Sequence, residues 1–204
     1  EVYVARGFFD QRYYKDGSME GPGNYRDSSK FKKAAEEEGI SFIILDDYKK
    51  ISNNLYATGT VERVVEKYNG PKGFYLDKDL TIPDIIRDDQ SVGMLTDNGW
   101  IMMSGCGHSG IINTAMKLQS IKNEPVYGAI GGFHLFKASD NTISTTANWL
   151  KDNGLTKFMG GHCTGIYAAE TIADIIGITR ENLSHTAIGS VLTKELKIIR
   201  SSVE

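Results

Sequence analysis

The pattern of apolar and polar positions changes character along the chain. Beyond residue 104 it is regular. Residues 109–122 place Ile111, Ile112, Ala115, Met116 and Leu118 at helical spacing, and 126–130 are an apolar run of strand length. A helical period returns over 141–152, a short strand over 157–159, and a further helix over 164–176. Strands and helices in alternation predict an α/β arrangement. Just upstream, the stretches 91–96 and 100–104 flank Asp97-Asn98-Gly99. An Asn-Gly pair accepts positive φ, so a tight hairpin is expected there. Residues 184–188 and 191–199 are expected to add closing strands.

The first ninety residues are less periodic. Residues 1–30 are rich in aromatics (Phe8, Phe9, Tyr13, Tyr14), glycine and charge, including Gly21-Pro22-Gly23, and read as an irregular connecting segment. From Ser28, the pattern Phe31, Ala34, Ala35 and Glu38 before Gly39 predicts a helix with a serine cap and a glycine stop, followed by a strand over 41–45. Between 46 and 90, strand-like pieces such as 55–61 alternate with turns such as Asn69-Gly70-Pro71-Lys72-Gly73. The chain thus divides into a connecting and inserted segment, 1–90, and a core, 91–204.

Bulk properties narrow the function. With 204 residues, 40% hydrophobic and 24% charged, the chain has enough apolar material for a core. A net charge of -3 lacks the basic footprint of a dedicated nucleic-acid binder, yet leaves room for a local basic pocket facing a small anion. The two cysteines make neither a disulfide framework nor a zinc-finger spacing, and a reducing, cytoplasmic setting is expected. No apolar run is long enough to span a membrane, and Glu1-Val2-Tyr3-Val4-Ala5-Arg6 lacks the regions of a signal peptide.

The chemistry concentrates in histidines. Three of the four stand in glycine-rich junctions that follow apolar strands: Gly105-Cys106-Gly107-His108-Ser109-Gly110, Gly131-Gly132-Phe133-His134-Leu135 and Gly160-Gly161-His162-Cys163-Thr164-Gly165. The steps from 108 to 134 and from 134 to 162 each equal about one strand-plus-helix unit, so each returns a histidine to the same rim of the sheet, where α/β proteins place ligands. Glycines let the backbone crowd around a shared point, as converging imidazole ligands of a metal require. His108, His134 and His162 are therefore metal-ligand candidates. His185, in Asn182-Leu183-Ser184-His185-Thr186, has no glycine frame and reads as a surface or strand-pairing residue.

Other motifs compete. Gly105-Cys106-Gly107-His108-Ser109-Gly110 also satisfies G-x-G-x-x-G, but the carboxylate that a dinucleotide fold needs at the next strand tip is replaced by Gly131-Gly132-Phe133-His134. Phosphate-loop, zincin and nucleophile-elbow motifs are absent. Cys106 and Cys163 adjoin the motif histidines and suit soft ligands or nucleophiles; a packing role is the reading preferred for them.

At these junctions the sequence resembles the metallo-β-lactamase superfamily, in particular its 7,8-dihydropterin-6-methyl-4-(β-D-ribofuranosyl)aminobenzene 5′-phosphate synthase-like branch of metal-dependent hydrolases. The similar pieces include Asp88-Asp89-Gln90, the three histidine junctions, and Ala57-Thr58-Gly59-Thr60-Val61-Glu62-Arg63. The resemblance implies an αββα sandwich of which this chain supplies the C-terminal part of one domain. It implies zinc, or manganese or iron, in a binuclear centre. His108 would be the third histidine of one metal site and His162 the late histidine of the other. His134 falls near a position where relatives place a bridging aspartate, as a ligand or a catalytic contact to substrate. Ser109 and Thr164, where helices begin, are expected to bring backbone N–H groups to an anionic substrate. The family's H-x-H-x-D-H segment has no counterpart here, so a separate N-terminal fragment is expected to supply it. The implied activity is hydrolysis of a small phosphate-bearing or ester substrate. The alternatives are a synthase-type transferase and a non-catalytic binding module of the same fold.

Overall fold

The computed structural model describes residues 1–22, 27–67, 70–193 and 195–200. In chain order the elements are β1 (Val2–Ala5), β2 (Arg12–Tyr14), β3 (Met19–Glu20), α1 (Ser28–Glu37), β4 (Phe42–Leu45), β5 (Lys49–Lys50), β6 (Leu55–Ala57) and β7 (Phe74–Tyr75). There follow β8 (Ser91–Thr96), β9 (Gly99–Ser104), α2 (Ile111–Ile121), β10 (Val126–Gly131), α3 (Asp140–Asp152), β11 (Lys157–Gly160), a 3-10 turn (His162–Thr164) and α4 (Ile166–Ile176). A second 3-10 turn (Arg180–Asn182), β12 (Leu183–Ser184), β13 (Val191–Leu192) and β14 (Ile198–Ile199) complete the described chain.

Seven strands form the main sheet in the order β12-β11-β10-β9-β8-β6-β5. The hairpin of β8 and β9 turns at Gly99, whose φ of +118° suits the Asn-Gly site. From β9 to β12 neighbouring strands are parallel, each reached through a helix. Side chains alternate along β9: Trp100 and Met102 enter the core shared with α2, α3 and α4, so Ile101 and Met103 face the other side. That core includes Ile111, Leu118, Ile143, Leu150, Phe158 and Ile172, each at most 1% exposed. Burial of such a side chain contributes about 1.5–3 kcal/mol, so these positions hold the helices to the sheet. Trp100 also satisfies its indole N–H, which donates to Lys122 O at 3.0 Å.

The register of the parallel strands sets up the site. Ser104 pairs with Gly131, and Gly131 pairs with Gly160. The C-terminal ends of β9, β10 and β11 therefore lie side by side, and the loops that carry the three motif histidines leave the sheet at one edge.

Several sequence expectations change. Residues 1–30 are not merely irregular: β1 pairs in parallel with β4, and β2 lies between β3 and β7. Strands of two to four residues paired with distant segments leave no local period. The main sheet also takes β5 and β6 from before residue 90. The strand-like piece 55–61 is a strand only over Leu55–Ala57. The cap of α1 is Asp27, whose carboxylate accepts from Ser29 N and Lys30 N, and Ser28 lies inside the helix. Among the described residues the closing region adds only β12 to the main sheet, while β13 and β14 pair with each other apart from it. Gly23 and Asn69, from two of the expected turns, lie outside the described residues.

Candidate metal centre

The loop after β9 carries Cys106 and His108, the loop after β10 carries His134, and the 3-10 turn after β11 carries His162 and Cys163. The loops touch through backbone: a Cβ on Gly132 would overlap the Gly105 carbonyl and stand 3.0 Å from Cys163 Sγ. Glycine is the residue that permits this approach. His134 and His162 hold left-handed backbone, φ +46° and +51°, a conformation that non-glycine residues seldom adopt and that clusters at functional sites.

This packing brings the candidate ligands together. The rings of His108 and His134 lie 4.5 Å apart between centroids. Cys106 Sγ is 3.4 Å from Cys163 Sγ and 3.9 Å from His162 Nδ1. One ligand atom each from Cys106, His134 and Cys163 falls within 4.8 Å of the other two. His185 stands apart, its Nδ1 at 3.4 Å from Gly160 O and its Nε2 at 3.9 Å from Glu170.

Burial and neighbouring charges shift the titration of these groups. Burial lowers the pKa of His108, as does His134 beside it, while Asp89 pulls the other way. Burial likewise lowers the pKa of His134, with Asp89 opposing and His162 and Lys137 adding to the fall. Neutral imidazoles are the form that binds metal. Burial pushes the Cys106 thiol up to about 12, with the Cys163 contact adding to the rise. The donor set fits a metal ion. His134 Nδ1 is buried without a hydrogen-bond partner among the described residues, and imidazole nitrogens stand with sulfur donors and the Asp89 carboxylate nearby.

Residues outside the histidine motifs build the surroundings. Asp89 Oδ2 accepts the Ser109 backbone N–H at 2.8 Å. Arg12 bridges Asp84 and Asp88 at 2.6 Å each, and so anchors the segment that carries Asp89. Burial opposes the Arg12 charge, but Asp88 and Asp84 outweigh it and its pKa is raised; burial also raises Asp88. Arg63 donates to Ile85 O at 2.8 Å and to His108 O at 3.4 Å, which joins that segment to the His108 loop. Glu66 Oε2 accepts from Ile112 N and Asn113 N at the start of α2, and burial pushes its carboxyl up to about 6 against the pull of those N–H groups. A cavity of about 580 Å³ opens beside His108 and His134, with Glu66, Lys67, Lys137 and Thr142 in its lining.

The fold has a solved counterpart. Tm1679, described as a metal-dependent hydrolase of the β-lactamase superfamily, superposes with a TM-score of 0.68 at 21% identity, over 86% of this chain and 64% of that one. The fold is that of the metallo-β-lactamase superfamily. No family model matches the chain. It is 33% identical over 143 residues to 7,8-dihydropterin-6-methyl-4-(beta-D-ribofuranosyl)-aminobenzene-5'-phosphate synthase of Methanocaldococcus jannaschii, an alignment covering 67% of this chain and 48% of that protein. It is 31% identical over 135 residues to an uncharacterized protein of the same organism, covering 65% and 48% respectively. The chain thus spans about half the length of the curated relatives it matches.

Within this metallo-β-lactamase fold, the expected substrate contacts sit differently from the histidines. Ser109 is 1% exposed, its N–H taken by Asp89 and its hydroxyl 3.5 Å from Asp89 O. Thr164 is fully buried, its hydroxyl accepting from Phe133 N and donating to Gly131 O. Both tie loops together, and the first N–H groups of α2 already hold the Glu66 carboxylate. Lys67 and Lys137 are the basic residues among the described ones that line the cavity. Sequence reading missed Glu66, Lys67 and Lys137, which belong to no motif. Asp89 lay in a segment singled out as family-like without a role given to it. No helix among the described residues is long and apolar enough to cross a membrane.

Proposed function

We propose that this chain carries part of the active site of a metal-dependent hydrolase that acts on a small phosphate-bearing or ester substrate. The observation that carries this reading is the convergence of His108, His134 and His162 on one edge of the sheet, beside a cavity lined by Lys67 and Lys137. His108 and His162 would hold metal, with His134 between them as a further ligand or as a contact to the reacting group. Zinc, manganese or iron suits such a donor set. A bound ion would lower the pKa of water towards about 7 and polarise a phosphoryl or carbonyl oxygen. Lys67 and Lys137 would attract and orient the anionic end of the substrate. Asp89, close enough to oppose the loss of charge on both His108 and His134, would help neutralise the centre.

Three histidines do not fill two coordination spheres, and we propose that a further N-terminal segment of the same fold contributes the H-x-H-x-D-H ligands of a binuclear centre. A second reading is a transferase like the named relative, joining a pterin to an aminobenzene ribofuranosyl phosphate; the 33% identity favours it. Both readings place a phosphate-bearing substrate at the same rim. The deciding experiment presents the protein with phosphodiesters, lactones and the two synthase substrates, with and without Zn²⁺ or Mn²⁺. Metal-dependent hydrolysis that is lost in His108→Ala and His162→Ala supports the hydrolase. Condensation without hydrolysis supports the transferase, and neither activity would leave a binding module.

A further inference from the structure

We infer that Cys106 and Cys163 are metal ligands, and that with His134 they form a thiolate–imidazole centre contained within this chain. The inference deepens the metal-centre reading above and rests on it for the location of the site, but not for the reaction.

Position separates these cysteines from packing residues. Neither belongs to the hydrophobic core shared by the sheet and helices, and both are half-buried in glycine-rich loops at the edge of the sheet. Their sulfur atoms converge from segments 57 residues apart.

The separations fit one ion. Ligand atoms around a tetrahedral zinc, at about 2.3 Å for sulfur and 2.1 Å for nitrogen, lie about 3.5–3.8 Å from one another. The Cys106 Sγ to Cys163 Sγ distance is 3.4 Å and the Cys106 Sγ to His162 Nδ1 distance is 3.9 Å. A His134 ring nitrogen falls within 4.8 Å of both sulfurs. Side-chain shifts of a few tenths of an ångström bring the two sulfurs to these spacings and shifts of up to about 1 Å bring the His134 nitrogen, whereas His162 is close to Cys106 but outside the set. Cys163 Sγ also accepts the backbone N–H of His134 at 3.2 Å, the type of outer contact that steadies a thiolate ligand.

Binding is an exchange of protons for metal, without redox change. Each cysteine releases its S–H proton to solvent as a sulfur–metal bond forms, and Cys163 gives up its S–H contact to Cys106 O at 3.1 Å. Two soft sulfur donors favour zinc or another thiophilic ion over magnesium or calcium. His108, whose ring lies 4.5 Å from that of His134, is outside this set and remains available to a neighbouring ion.

The test is titration of the purified protein with Co²⁺, read by the near-ultraviolet thiolate-to-cobalt charge-transfer band and by the visible ligand-field bands. The band is expected in the wild type and in His108→Ala. It should weaken or vanish in Cys106→Ser and Cys163→Ser, each with at least about a tenfold loss of affinity, the scale reached when even an outer partner of a ligand is removed. Zinc should also shield both wild-type thiols from alkylation, with chelator restoring their reactivity, a readout that needs no variant to fold. Ligand-field bands without a charge-transfer band, together with thiols that alkylate in the presence of zinc, would overturn thiolate ligation while leaving the histidine reading intact. Absence of any cobalt or zinc binding would overturn this inference, and turnover would then judge the hydrolase reading separately.

Discussion

Asp89 Oδ2 holds the backbone N–H of Ser109 at 2.8 Å, which fixes a carboxylate beside the loop that presents His108. The same carboxylate opposes the loss of proton affinity that burial imposes on His108 and His134. Asp89→Asn keeps an acceptor for Ser109 and removes the charge. Both imidazoles should then titrate at lower pH than in the wild type when followed by NMR; unchanged or higher values would show that Asp89 does not act on them. Asp89→Ala strands a buried N–H and should cost about 1–3 kcal/mol in denaturant unfolding.

Gly132 marks where the three loops touch. An alanine there meets the Gly105 carbonyl and Cys163 Sγ, so the loops must separate. Gly132→Ala should destabilise the fold by about 1–3 kcal/mol and weaken zinc uptake in an equilibrium competition with a chromogenic chelator. Gly177→Ala, with nothing near its Cβ, carries only the strain of positive φ and should leave zinc uptake unchanged.

The raised Glu66 carboxyl makes a pH-dependent contribution of defined sign. Its pKa moves from the ordinary 4.5 to about 6 on folding, so the folded state binds the proton more tightly. That stabilisation is fully present below pH 4.5 and is lost as the pH rises through about 6, an amount of about 2 kcal/mol. Glu66→Gln retains an oxygen for the N–H groups of α2 and removes the titration. Its unfolding free energy, compared between about pH 4.5 and 7.5 with the wild type, should lack a fall of roughly that size.

The Arg12–Asp84 pair is buried, with side chains 15% and 1% exposed. Arg12→Met leaves the Asp84 carboxylate without its cation and should cost about 3–5 kcal/mol in denaturant unfolding. Adding Asp84→Asn to that variant removes the unpaired charge and should recover much of the loss. A double variant no more stable than Arg12→Met would show that the pair is not the source of the effect.

Much of the C-terminal half was legible from consecutive residues. The Asn-Gly turn, the helical periods of α2, α3 and α4, and the strands before each glycine-rich junction all appear where the pattern places them. The repeated strand-plus-helix spacing foretold that His108, His134 and His162 would share one edge. The same logic failed for β1 to β3 and for β13 with β14, because strands of two to four residues are defined by partners rather than by an internal period. It also misread the cap of α1, where Asp27 stands one residue ahead of the expected serine.

By itself, then, the amino-acid order determined the local elements and which histidines meet, since period, turn chemistry and strand spacing act over short stretches of chain. Tertiary structure decided the character of the centre. The meeting of Cys106 with Cys163, the seating of Glu66 on α2 and the clamp of Arg12 on Asp84 join residues 57, 46 and 72 positions apart. No local pattern encodes such contacts; they exist only once the packed sheet and helices have offset the entropy of closing those loops and removed the side chains from water.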